Sequence, residues 1–486
     1  MSVWEPVIGL EVHVHLKTRS KIFCRCENRF GADPNSLICP VCLGYPGTLP
    51  VLNRKAVDLA AKVALALGCE VDLASVFARK NYFYADLPKG YQISQFDRPL
   101  ARQGLLPLIE HERTVRVHRL HLEEDAGKLL HDWPGGGALE SSSLVDFNRC
   151  GVPLVEIVSE PDLRSSAEAE DYMRSLHQLL VAIEATDGNL EEGSLRCDAN
   201  VSLKPAGASR LGTKVEVKNL NSFRNVARAI DHEIARQSRR LDGGLAIAQE
   251  TRSFDANSGQ TRSLRGKEEA DDYRYFPEPD LPPVVISAEQ LVALRSEVPE
   301  LPWERRKRYV DSLGLAWAEA RDLVAEPGLA SYFEAVLAVA PGLARPAANW
   351  VRNDIVRELN ERQCALVQAI APDRLAEVLL LAEDGVLSSG AARDVLRAMW
   401  DSTESAAAAV ERLALGQVRD ERQLTAWVDE VLIANPKQVE QFRAGKSQVL
   451  GFLVGQVMKR SGGRADPVRV QALLTAVPIQ DKEVPN

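Results

Sequence analysis

At 486 residues the chain is too long for a single ordinary core, so two or three domains are expected. Its 59 basic against 68 acidic side chains leave a net charge of −9, which excludes a nonspecific coat for nucleic acid but permits a local basic patch. No apolar run approaches the roughly 20 residues of a membrane span, and the opening Met1-Ser2-Val3-Trp4-Glu5-Pro6 has neither the basic n-region nor the apolar h-region of a secretory signal, so a cytoplasmic protein without a membrane partner is expected.

The first element is the most informative. From Gly9 to Leu16 polar and apolar residues alternate, so a strand would carry Glu11, His13 and His15 on one face and Val12, Val14 and Leu16 on the other. A solvated edge strand accounts for such a row, and so does one wall of an ion-binding or proton-transfer site. Recurrence of the same design further along favours the second.

Cys24-x-Cys26 follows, and twelve residues later Cys39-Pro40-Val41-Cys42. Paired thiols at two turns have the spacing of a zinc ribbon or knuckle, with buried free thiols as the alternative. Zinc held by four thiolates has no position open to water, so its function would be structural. Cys69, Cys150, Cys197 and Cys364 lack partner spacing and read as core residues.

Asn53 can cap a helix running through Val57, Ala60, Ala61 and Ala64 to Gly68, and Ser166 precedes another with Met173, Leu176, Leu180 and Ile183 on one face. Strands are expected at residues 114–122, 152–158, 195–203 and 213–217. Gly135-Gly136-Gly137 reads as a turn. His121-Leu122-Glu123-Glu124-Asp125 closes one strand in three acids, Glu156 sits between the β-branched Val155 and Ile157, and residues 195–203 place Arg196, Asp198, Asn200 and Ser202 on one face. Such a row is costly to bury unless it is paired or bound. With these strands side by side, Glu11, His13, Glu124, Glu156 and Asp198 would line one concave surface. Hard oxygen ligands with one imidazole suit Mg2+ or Mn2+ better than zinc, and Lys80, Lys89, Lys214, Lys218 and Arg274 are candidates for holding phosphates.

Residues 276–283 contain four prolines and mark a boundary. Beyond them Ala- and Leu-rich helical periodicity runs to the end, with a second break expected at residues 406–417. The fold class is therefore α+β with a mainly antiparallel sheet, followed by all-α parts. In residues 437–470 seven basic side chains stand against two acidic, an array suited to phosphate contact or to a solvated helix face. A P-loop is missing: Ala444-Gly445-Lys446-Ser447 ends like one, but Glu440 stands where its first glycine belongs. Nor is there an amidase signature, so the chain is not expected to release ammonia from an amide by itself.

Taken in order, these motifs resemble the B-subunit family of the aspartyl/glutamyl-tRNA amidotransferases. The resemblance rests on Ile8-Gly9-Leu10-Glu11-Val12-His13-Val14, Cys39-Pro40-Val41-Cys42-Leu43-Gly44, Arg79-Lys80-Asn81-Tyr82-Phe83-Tyr84, Asp86-Leu87-Pro88-Lys89-Gly90-Tyr91-Gln92-Ile93-Ser94-Gln95, residues 121–128, 151–162 and 192–202, Lys218-Asn219-Leu220-Asn221-Ser222-Phe223, residues 272–280, and Gly451-Phe452-Leu453-Val454-Gly455-Gln456-Val457-Met458. It implies a cradle domain related to the glutamine-synthetase catalytic fold (1–290, with the zinc-binding insertion), a helical domain (291–409) and a small tRNA-binding tail (410–486).

The resemblance further implies a ligase subunit that uses ATP and Mg2+ to phosphorylate the side-chain carboxylate of Glu-tRNA(Gln) or Asp-tRNA(Asn). Ammonia channelled from an amidase A subunit would then complete the amide, with a small C subunit completing the heterotrimer. On this reading Glu11, His13, Glu124 and Glu156 hold Mg2+ and act in catalysis with Asp198. Lys80, Lys89, Arg196, Lys218 and Arg274 bind ATP and substrate, Cys24, Cys26, Cys39 and Cys42 hold structural Zn2+, and Lys446, Lys459 and Arg460 meet tRNA. Two departures from the family pattern are His15, where Gln is usual, and Cys150, where Ala is usual. Two rivals remain open: a free-standing carboxylate-amine ligase, which would not need the basic tail, and a zinc-containing RNA-binding protein without catalysis, which would not explain acids and His recurring on strand faces.

Overall fold

The computed structural model describes residues 4–130, 142–190, 192–266, 270–418 and 420–476; the Gly135-Gly136-Gly137 turn lies outside them. The chain divides into two compact units, Met1–Arg305 and Arg306–Asn486.

The first unit runs β1 (Trp4–His15), α1 (Arg54–Ala66), β2 (Glu70–Val71), β3 (Ala74–Ser75), β4 (Ala78–Asn81), β5 (Tyr91–Ser94), β6 (Ala101–Pro107), β7 (Thr114–Glu124), β8 (Lys128–Leu130), β9 (Leu144–Asp146) and β10 (Pro153–Ser159). It continues through α2 (Ser166–Ala182), β11 (Leu195–Pro205), β12 (Val215–Leu220), α3 (Phe223–Asp242), β13 (Glu250–Asp255), β14 (Gln260–Gly266), β15 (Phe276–Pro277), β16 (Val284–Val285) and α4 (Ala288–Ser296). A nine-stranded sheet has the order β14-β13-β12-β11-β1-β10-β7-β6-β2. Its neighbours are antiparallel except β12 and β13, as alternating, half-polar strands require.

The apolar side of β1, from Ile8 through Leu10, Val12 and Val14, is fully buried in one core with the helices α1, α2 and α3. The small Ala56, Ala60, Ala61 and Ala64 of α1 are fully buried too, which lets that helix lie close to the sheet. Asn53 caps it by accepting from Lys55 N, as expected. In α2 the cap is Ser165, whose side chain accepts from Glu168 N, one residue before the serine read from sequence. Both serines have the right chemistry, and the backbone decides: Ser165 is extended, with φ −147 and ψ 162.

The proline-rich segment is not a linker. Phe276 and Pro277 pair with Arg79 and Ala78 of β4, and Val284 and Val285 with Ser75 and Ala74 of β3. Buried Glu278 is clamped by Arg79 through Nε at 2.7 Å and Nη2 at 2.9 Å. Proline is compatible with such two-residue edge pairings, which composition alone does not reveal. α4 then packs on α1 through Leu294.

The second unit is helical: α5 (Pro302–Leu313), which begins in the first unit, α6 (Trp317–Val324), α7 (Pro327–Val339), α8 (Ala344–Asn349), α9 (Val356–Arg362), α10 (Pro372–Glu383), α11 (Ser389–Trp400) and α12 (Ala406–Leu413). A π-helical turn at Trp350–Ile355 joins α8 to α9. The alanine run at residues 406–409, read as a break, is the first half of α12, with Ala406 and Ala409 in the core; alanine is the best helix former, and packing keeps it helical. The chain breaks only afterwards, at Ala414, which is left-handed with φ 50. A separate apolar cluster then joins α13 (Glu421–Ala434), α14 (Pro436–Arg443), α15 (Gln448–Arg460) and α16 (Pro467–Thr475).

In β6, Gly104 stands where a Cβ would meet Cys69 Sγ at 2.4 Å and Leu67 O at 3.2 Å. Gly104→Ala should therefore lower thermal stability by about 1–3 kcal/mol, the usual range for overpacking. Adding Cys69→Ala should recover part of that loss in a double-mutant cycle of unfolding experiments, and strictly additive effects would refute the steric account.

Candidate active site

The polar side of the sheet carries the site. Register sets Arg196 of β11 opposite His13 of β1, His13 opposite Glu156 of β10, and Glu156 opposite His121 of β7. In the next row Asp198 faces Glu11. His13 Nε2 lies 3.3 Å from Glu156 Oε2 and 3.5 Å from Glu123 Oε1, and one donor atom from each of these three side chains falls within 4.8 Å of the others. His121 is buried behind them, its Nε2 3.4 Å from Glu156 and 3.8 Å from Glu123. Burial opposes protonation of His13, but Glu156, Glu123 and Asp198 outweigh it and raise the imidazole to about 9. Burial likewise pushes Glu156 up, and the two histidines overcome it, holding the carboxyl well below its usual range. Two carboxylates with one imidazole are a fitting donor set for Mg2+ or Mn2+.

Two expected metal ligands are elsewhere: Glu11 stands in the next row, outside the trio, and Glu124 leaves this face altogether. Glu124 follows Glu123 and so leaves the strand on the opposite side. It pairs with Lys89, accepts from Ile93 N at 2.9 Å, and lines a cavity of about 210 Å³ beside Cys24 and Cys42. Glu123 takes the position expected of it. The signal was present: His121, Glu123 and Asp125 share a phase of the alternation that Glu124 does not.

A cleft of about 650 Å³ opens over the trio, lined by His13, Glu123, Lys80, Arg196, Asp198 and Lys218 among others. Lys218 Nζ lies 2.5 Å from Asp198 Oδ2 and 3.7 Å from Glu216 Oε1. Burial works against its charge, yet these acids hold its pKa above the ordinary lysine value. Asn200 donates to Glu11 at 2.8 Å. Arg196 and His15 both reach Asp125 Oδ2, at 2.7 and 2.8 Å, and Arg149 stands 3.4 Å away. Burial raises Asp125, but the two arginines and His15 prevail and keep it far below the carboxylate norm. Sequence reasoning did not single out Asp125 or Arg149: Asp125 keeps the phase of His121 and Glu123 one residue past β7, whereas Arg149 lies in a turn where periodicity gives no guide.

Of the basic candidates, Lys80, Arg196 and Lys218 line the cleft, and Lys80 Nζ sits 4.7 Å from the Tyr273 ring centroid. Lys89 belongs to the cavity beside the thiols. Lys214 is exposed before β12 begins, and Arg274, exposed and left-handed at φ 45, lies over Phe83.

The four N-terminal thiols converge, one sulfur of each within 4.8 Å of the rest. Tetrahedral Zn–S bonds of about 2.3 Å demand nearly this spacing, so the cluster fits structural zinc. A hydrogen bond from Cys24 is the chief cause that lowers the Cys42 thiol to about 5. In the tail, Lys446 and Lys459 are exposed, and Arg460 is exposed but pairs with Glu430 at 2.5 Å.

The model of the GatB/GatE catalytic domain matches residues 6–292, and that of the GatB domain matches residues 331–477. The chain belongs to the GatB family. It is 52% identical over 476 residues to the B subunit of the aspartyl/glutamyl-tRNA(Asn/Gln) amidotransferase from Geotalea uraniireducens, covering 97% of this chain and 98% of that one. The B subunit from Anaeromyxobacter sp. (strain K) is 50% identical over 480 residues, covering 98% of each chain, and that from Thermosynechococcus vestitus is 50% identical over 481, covering 97% of this chain and 96% of its own. The cleft and the thiol cluster both fall within the segment matching the family's catalytic domain.

Glu123→Gln should weaken Mn2+ binding by roughly tenfold or more, since even partners outside the ligand shell are worth that much. Glu124→Gln should leave affinity near that of the unaltered protein. An electron paramagnetic resonance titration with Mn2+ compares them, and equal losses would undo the distinction.

Proposed function

We propose that this chain is the B subunit of a heterotrimeric tRNA-dependent amidotransferase, working in the cytoplasm with an amidase A subunit and a small C subunit. The observation that carries the reading is one cleft lined both by His13 and Glu123 of the metal-capable trio and by the cations Lys80, Arg196 and Lys218. Its substrates are Glu-tRNA(Gln), Asp-tRNA(Asn) or both, together with ATP and ammonia.

A carboxylate resists attack because its leaving oxygen is charged. Phosphorylation by ATP turns that oxygen into a phosphate leaving group, and ammonia then displaces it to form the amide. His13, Glu123 and Glu156 would hold Mg2+, which supplies charge neutralisation on the phosphates. Arg196, oriented by Asp125, and Lys80 hold phosphate oxygens, while Lys218 stabilises charge as it develops. Glu11, opposite Asp198 and outside the trio, is the candidate to complete the Mg2+ shell, and Asp198 acts in catalysis from the cleft lining. Lys89, paired with Glu124 beside the thiols, and exposed Arg274 over Phe83 complete the substrate- and ATP-binding set on this reading.

The same reading takes residues 1–290 as a cradle domain akin to the glutamine-synthetase catalytic fold, which a mostly antiparallel sheet with one apolar and one polar side supports. Residues 291–409 form the helical domain and residues 410–486 the tail, where exposed Lys446 and Lys459, with Arg460, meet tRNA phosphates. Zn2+ on Cys24, Cys26, Cys39 and Cys42 is structural.

The test is ATP consumption dependent on charged tRNA in the reconstituted heterotrimer. His13→Ala and Glu123→Ala should abolish it while glutamine hydrolysis by the A subunit continues; near-normal turnover would refute the assignment, and ATP-dependent amidation of free glutamate without tRNA would point to a free-standing ligase. The chain alone should hydrolyse no glutamine. Separately, Lys446→Glu with Lys459→Glu should weaken tRNA binding and flatten its dependence on salt by about one slope unit per lost phosphate contact. Unchanged affinity and slope in a filter-binding series would remove the tail from the interface.

A further inference from the structure

Beside the thiol cluster lies a cation that the function above does not use. Lys21 is fully buried, and among the described residues its Nζ donates only to Cys42 Sγ at 3.7 Å and to Phe147 O at 3.4 Å. Its backbone is pinned where the side chain must enter the cluster: Lys21 N donates to Cys26 O at 3.0 Å and Asn53 Nδ2 donates to Lys21 O at 3.3 Å. On the far side Gly151 is left-handed at φ 78, and a Cβ there would lie 3.6 Å from Lys21 Cδ and 3.7 Å from Cys42 Cβ. The stem of Lys21 therefore runs through a packed channel that ends at a sulfur.

A buried ammonium is stable only when a negative charge lies within reach, and one backbone carbonyl is not such a charge. Four thiolates around Zn2+ are: they leave a net double negative charge on the centre. Cys42, the buried member of the four, collects two donors on its sulfur, Lys21 Nζ and Cys39 N at 3.1 Å. Hydrogen bonds to a metal-bound thiolate spread its charge and slow its protonation and departure.

We propose that Lys21 is the positioning residue and internal counter-cation of the zinc centre, its buried amine set against Cys42 Sγ so that it fixes how firmly the metal is retained. Through Phe147 O, and through Ile22 N donating to Gly151 O at 2.8 Å, it also fastens the centre to the turn that leads into β10 and Glu156. This inference rests on the reading of the four cysteines as a zinc site.

The experiment follows zinc transfer from the purified full chain to a chromophoric chelator, after metal content has been measured. Unaltered protein without zinc would overturn the zinc reading itself. If it holds zinc, Lys21→Met should release it about 10–100-fold faster, Lys21→Gln should follow Met because it keeps a donor but no charge, and Lys21→Arg should recover part of the retention. Release rates equal to the unaltered chain in Gln and Met would overturn the role of Lys21. Should Met fail to fold, the Gln and Arg pair decides in the same way. In the cobalt-substituted chain, the sulfur-to-metal charge-transfer band should move to lower energy in Lys21→Gln; a purely structural lysine would leave it in place.

Discussion

Everything at the active site depends on the burial of one side of β1. With Ile8, Leu10, Val12 and Val14 in the core, a slip of one residue would turn the apolar set outward and bury Glu11, His13 and His15. Register is thus fixed by hydrophobic burial, and the polar row follows from it. β1 lies between β10 and β11, so the same constraint aligns Glu156 on one side with Arg196 and Asp198 on the other. Chemistry that requires charges a few ångströms apart is held in place by side chains that carry none.

Those charges are nevertheless largely buried, and each is balanced locally. Glu156 stands between His13 and His121, Asp125 among Arg196, Arg149 and His15, and Asp198 against Lys218. Removing one partner from such a group leaves the other charge uncompensated in a poorly solvated place, which costs more than the pair contributes. A divalent cation entering the trio would replace the role that the histidine protons play for Glu156.

The strands, their alternation and the mainly antiparallel sheet were legible because period-two patterning is a direct consequence of burying one face. The thiol cluster was legible from spacing. Glu124 stands apart from the trio because the pleat separates it from Glu123, which three consecutive acids read as a group do not reveal. Asp125 was missed although it continues the phase of Glu123, and Arg149 because a turn residue carries no period; only the folded chain brings both to Arg196. Composition gave less than the fold holds in two places: the four prolines mark a boundary but hide the edge pairings they make, and the alanine run suggested a break where a helix begins. In both cases long-range packing decides what the local signal does not.

The end of β7 ties the two centres together. Glu123 enters the metal-capable trio, while Glu124 is held by Lys89 and Ile93 N, and Gln92 Nε2 donates to Glu124 O at 2.7 Å. Ser94 Oγ, on the same small strand β5, donates to Glu123 Oε2 at 3.4 Å. Lys89 and Glu124 line the cavity shared with Cys24 and Cys42. The peptide between Glu123 and Glu124 is thus held from β5 by Ile93 N and Gln92 and from the thiol side by Lys89, so one strand end bounds both the cleft and the cavity, with the two carboxylates sent to opposite sides by the pleat.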